Sequence, residues 1–78
     1  MEYRRAEDGS VIKVLQHYTE DGLEWCEIEW VYRKRRDYDS MVYRELKMGD
    51  RWHKDKDWVD SFTTIPEEDV PLVVLGNI

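Results

Sequence analysis

VIKVLQHYTEDGLEWCEIEWVYRK, residues 11–34, is the stretch on which the fold turns. Two runs rich in β-branched and aromatic residues flank Glu20-Asp21-Gly22. An Asp-Gly pair between such runs is a strong hairpin signal, because the tight turn needs positive φ values that glycine adopts at little cost. In the second run Cys26, Ile28, Trp30 and Tyr32 recur with period two, while Glu24, Glu27 and Glu29 fall mostly opposite. That is the pattern of a strand with one apolar face. A helix would scatter Trp25, Cys26, Ile28 and Trp30 over more than half of its circumference. Ten or more residues is long for a strand of a small sheet, so a bend or bulge is expected.

Reading outward, MEYRRAEDGSVIKVLQHYT (1–19) repeats the arrangement around Asp8-Gly9 and predicts a hairpin before the first. After it, RKRRDYDS (33–40) reads as a connecting loop and MVYRELKM (41–48) as a fourth strand with Val42, Leu46 and Met48 inward. In MGDRWHKDKDWVDSF (48–62), Asp55 or Asp57 suits a helix N-cap. Trp58, Phe62 and Ile65 follow at i, i+4 and i+7, until Thr63-Thr64 and Pro66 end the helix. IPEEDVP reads as a turn, and LVVL (72–75) as a short apolar strand that closes the sheet against a terminal strand. The expected fold is mainly β, a small five-stranded SH3-like barrel or a strongly bent antiparallel meander, with one short helix near 56–63, in a single domain spanning 1–78.

Composition sets the limits. A chain of 78 residues has room for one domain, and it buries only about 60–65% of its unfolded surface. Four Trp, five Tyr and one Phe must supply much of the core. The lone Cys26 excludes an internal disulfide and any cysteine-based zinc site of known spacing, and a reducing compartment is the natural setting. MEYRRAEDGS lacks the apolar core of a secretory signal, and no apolar run approaches the ~20 residues of a membrane span, so a soluble, cytoplasmic protein is expected. Twelve basic and eighteen acidic residues leave a net charge of −6, which argues against general nucleic-acid binding. The excess is local as well: residues 20–29 hold five acids and no base, and residues 33–36 four bases.

Four chemistries compete for the polar residues. His53, Asp55 and Asp57 have the spacing of metal ligands on an extended segment, but Lys54 and Lys56 between them repel a cation, so no metal or cofactor is expected. His17 and His53 have no nucleophile pattern beside them. Ser10, Ser40 and Ser61 sit in turn or helix contexts, Cys26 reads as a core residue, and no glycine loop cradles phosphate, so an enzyme is not expected. Arg33, Lys34, Arg35 and Arg36, flanked by Tyr32 and Tyr38, suit a nucleic-acid backbone, although Asp37 and Asp39 partly cancel them. Trp25, Glu27, Glu29, Trp52 and His53 suit a protein partner: Trp25 falls opposite the apolar face among glutamates, and Trp52 lies off the helix stripe. Exposed Trp, Tyr and Arg dominate interface energetics. Partner recognition by a non-enzymatic module is the leading expectation, with a basic-loop nucleic-acid binder as the alternative. A third reading has the acidic face of Glu20, Asp21, Glu24, Glu27 and Glu29 inhibit a nucleic-acid enzyme in the anti-restriction or anti-CRISPR manner.

The pieces IKVLQHYTEDGLEW, MVYRELKMGDRW and DWVDSFTTI together resemble a widespread group of small uncharacterised bacterial and phage proteins. In that group a Y-x-V-L hairpin strand precedes a V-V-Y-R strand, a Gly turn, a Trp and a short helix. The resemblance covers about two-thirds of the chain, although His53-Lys54 stands where the group carries Arg-Pro. It implies an SH3-like fold, a phage or bacterial origin, and no catalytic residues. With the partner-binding expectation it gives a phage accessory protein that docks on a host protein and modulates or inhibits it.

Overall fold

The computed structural model describes residues 1–33 and 49–76. The expected strand at 41–48 lies outside them. The described chain is mainly β, with five antiparallel strands in one sheet: β1 (Glu2–Arg5), β2 (Val11–Glu20), β3 (Leu23–Tyr32), β4 (Arg51–Asp55) and β5 (Thr63–Ile65), in the order β4-β3-β2-β1-β5. Helix α1 (Lys56–Asp60) joins β4 to β5, and a 3₁₀ turn (Glu67–Asp69) leads into helix α2 (Val70–Gly76).

Both expected hairpins form. Glu20 and Leu23 close the β2–β3 turn around Asp21 and Gly22, whose φ angles of 53° and 77° are those of a two-residue hairpin loop. The β1–β2 turn is longer: Ala6 N donates to Ser10 O at 2.7 Å, and Gly9 takes φ 97° to bring the chain round. The expected irregularity appears on both strands of the central pair. Register slips between Val11 and Ile12, where Val31 is the extra residue, and again between Val14 and Gln16, where Leu15 is. Because strand side chains alternate, the slip at Leu15 exchanges the faces of every later residue of β2. His17, rather than Gln16 or Tyr18, then stands opposite Cys26.

β4 and β5 are the two outer strands, so the segment between them crosses one face of the sheet. That crossing makes the core. Val59 and Phe62 descend onto Ile12, Val14, Cys26, Ile28 and Trp30, with Ala6, Trp52 and Trp58 packed around them. Asp55 caps α1 by accepting the Trp58 N–H at 2.7 Å, as its side-chain chemistry predicts.

The structure corrects three expectations. Residues 51–55, given no strand of their own in the expected fold, form β4, because Trp52 and Lys54 alternate with Arg51, His53 and Asp55 across the edge of β3. Ile65 does not join Trp58 and Phe62 in the core; it belongs to β5 and pairs with Tyr3. LVVL is helical. The place beside β1 that it was expected to fill is taken by Thr63–Ile65. Glu67, Glu68 and Asp69 precede α2, where negative charge favours a helix start, and Pro71 falls in the first turn, which tolerates it.

Candidate functional site

Register builds the outer face of the sheet row by row across β2, β3 and β4. Lys13, Glu29 and Arg51 form one row; Gln16, Glu27 and His53 the next; Tyr18, Trp25 and Asp55 the third, beside the hairpin turn. The sequence-predicted residues Trp25, Glu27, Glu29 and His53 therefore share this face. Arg51 Nε lies 3.5 Å from Glu29, and His53 Nε2 lies 3.7 Å from Glu27. Tyr18 Oη and His53 Nδ1 are 2.8 Å apart, with their rings edge to face. Burial pushes the Tyr18 hydroxyl pKa up, and the nearby Glu20 and Glu27 charges add to the shift. The middle of the face is thus a self-satisfied polar lattice in which Glu27 and Glu29 each have a basic neighbour.

The third row differs. Trp25 is half-buried, Leu23 beside it is 60% exposed, and the depression they share is rimmed by Glu24, Asp55, Lys56 and Asp57. Lys56 is held by Asp60 at 2.8 Å, a bond that raises the lysine pKa and lowers that of the aspartate. An apolar spot carrying a surplus of carboxylates is the result.

Trp52 is not part of this site. It pairs with Ile28 on the core side and stacks edge-on against Trp30 at 5.4 Å. Trp58 packs 6.1 Å from Trp30 and 4.7 Å from Phe62, so the off-stripe Trp52 and the helix aromatics form one cluster. Arg33 lies over Trp30, its guanidinium 6.0 Å from the ring. Lys34, Arg35 and Arg36 lie outside the described residues.

One arrangement was not foreseen. The slip at Leu15 places His17 Nδ1 3.3 Å from Cys26 Sγ, while His17 Nε2 lies 3.3 Å from Glu2 Oε1. Thiol, imidazole and carboxylate in line is the order of a nucleophilic triad. Here the thiol is 0% exposed, and burial pushes its pKa up, with Glu2 and Asp60 adding to the shift. A thiolate nucleophile needs the opposite conditions, a lowered pKa and access. Glu2 instead carries the row on to Arg4, which donates from Nη1 to Phe62 O at 2.9 Å and ties β1 to the end of the crossing segment. Among the described residues no group of three or more His, Cys, Asp or Glu is placed to hold a metal ion, and no helix is long and apolar enough to cross a membrane. Compared with protein-family models, curated proteins and solved structures, the chain matches none.

Proposed function

We propose that this chain is a small protein-binding module with no enzymatic activity of its own, and that it modulates a partner by docking through the hairpin end of its outer sheet face. The observation that carries the reading is the Trp25–Leu23 depression with Glu24, Asp55 and Asp57 on its rim. A large amphipathic ring surrounded by charge is the kind of anchor around which interface hot spots form. The carboxylate surplus, on a chain of net charge −6, favours a partner with a basic surface and speeds its approach. The buried, protonated thiol beside His17 supports the absence of nucleophilic chemistry. Glu27 and Glu29, each with a basic neighbour, fit a phosphate mimic less well than they fit a positioned scaffold for Trp25.

The test is capture from nuclease-treated bacterial lysate, the source that the sequence resemblance suggests, with the wild-type chain and Trp25→Ala side by side. The expected result is one basic protein retained at stoichiometric level by the wild type and lost by Trp25→Ala, whose circular dichroism is unchanged. Retention indifferent to Trp25→Ala, or retention that disappears with the nucleic acid, overturns the reading.

A further inference from the structure

Three of the four tryptophans have a cation of the chain's own over the ring. Arg33 lies 6.0 Å from the Trp30 ring, and Lys54 lies 5.5 Å from Trp52 and 5.0 Å from Trp58. Trp25 is the exception. Among the described residues no lysine or arginine lies over its ring, and no second ring packs on it. The end of β4 explains why. β4 stops at Asp55, opposite Trp25, where the chain turns into α1. Leu23 and Glu24 run on past that point, and the depression, of about 750 Å³, lies in the step so formed. The described residues around the step hold negative charge that the chain does not use. Glu24 and Asp57 make no ion pair and no side-chain hydrogen bond among them, whereas Lys56, the cation beside them, is held by Asp60 one helical turn on.

We infer that the Trp25 depression takes an arginine side chain of the partner protein, its guanidinium stacked on the indole and its N–H groups donating to the carboxylates of Glu24 and Asp57. This rests on the docking reading and gives the partner's contact its chemistry. A planar cation with several donors fits both features at once: it lies flat on a ring and still reaches more than one carboxylate. An apolar side chain would cover Trp25 and Leu23 but leave the carboxylates desolvated without a partner, which costs free energy. An ammonium is a strongly hydrated point charge and cannot stack, so lysine fits less well. An anion is repelled.

The probe is the capped tripeptide acetyl-Gly-Arg-Gly-amide, with lysine and citrulline in place of arginine as the point-charge and neutral counterparts. Each is titrated into the ¹⁵N-labelled chain at constant ionic strength. The readout is the indole N–H resonance of Trp25, assigned with Trp25→Phe. The arginine peptide is expected to move that resonance saturably, with a dissociation constant of about 10 mM, and to leave the indole resonances of Trp30, Trp52 and Trp58 in place. The lysine peptide should bind about threefold more weakly, and the citrulline peptide more weakly still. Glu24→Gln with Asp57→Asn should weaken the arginine peptide about tenfold, while Asp55, which caps α1, stays unchanged. A Trp25 resonance unmoved by the arginine peptide at ~50 mM, about five times that constant, overturns the inference. Equal affinities for the three peptides, or an affinity indifferent to the double variant, overturn it as well. None of these results touches the docking reading, which falls only if capture is indifferent to Trp25→Ala or disappears with the nucleic acid.

Discussion

Glu2 sits near the start of the chain, yet it joins three elements. Its carboxylate meets Arg4 on its own strand and His17 across the β1–β2 pair, and Arg4 continues to Phe62 O and to Asp60, 3.7 Å away. Burial works to raise the Glu2 pKa, but the Arg4 and His17 hydrogen bonds outweigh it and hold the carboxyl below its ordinary value of 4.5. A carboxyl depressed in the fold stays ionised where the unfolded chain has already taken up its proton. Its stabilisation is therefore complete above pH 4.5 and is lost as pH falls through the lower folded value. Wild type should melt above Glu2→Gln by a constant margin in the upper range, and the margin should close on acidification below pH 4.5. Melting curves of the two chains from pH 7 to about pH 2.5 check this. A margin that ignores pH would make Glu2 a packing residue only.

At the scale of elements, α1 depends on the residue that caps it. The helix has only five residues, too few to persist alone, and Asp55 supplies the acceptor for the Trp58 N–H while still paired with Trp25 in β4. Asp55→Ala should cost about 1 kcal/mol in urea unfolding, and Asp55→Asn, which keeps an acceptor, only a few tenths. Equal losses would place the effect in the charge rather than the cap. The same stretch shows which parts of the fold can be read from sequence. Asp-Gly turns and a helix cap act over two or three neighbours, so both hairpins and the start of α1 are legible. β4 is hidden because its inward residues, Trp52 and Lys54, are half covered by the crossing segment rather than plainly apolar. Thr63–Ile65 is too short to announce itself, and its partner Tyr3 lies some sixty residues away. A run such as VPLVVL has no period that separates strand from helix. Trp25, Glu27 and Glu29 share a face because alternation along β3 is local information, whereas His53 joins them only through the pairing of β4 with β3. Trp52 departs from them because its side depends on pairing with Ile28, and the Cys26–His17 contact depends on a slip at Leu15 that no residue type signals.

At the scale of the whole molecule, the stability of the described residues rests on one sheet and one crossing segment. Native domains carry roughly 0.05–0.15 kcal/mol per residue, which for this length is about 4–12 kcal/mol. Helix α2 has no buried residue, and Leu72 and Leu75 are exposed on it, so it adds little to that total. Within α1 only Val59 is buried, at 1% exposure, and it packs into the cluster of Ile12, Val14, Cys26, Ile28 and Trp30. Val59→Ala removes two methyl groups from the point where the crossing segment meets the sheet. Their lost transfer energy plus the cavity left behind comes to about 2–3 kcal/mol. In a domain of this size each kcal/mol shifts the melting temperature by about 4–8 °C, so the variant should melt some 10–20 °C below wild type. The loss should appear in a single transition by circular dichroism and by tryptophan fluorescence alike, since Trp30 and Trp58 report on the same cluster that Val59 fills. A fluorescence transition that moves while the circular dichroism transition stays would show that the sheet holds without its crossing segment. The aromatic cluster of Trp30, Trp52, Trp58 and Phe62, shared by β3, β4 and the crossing segment, would then open before the chain unfolds.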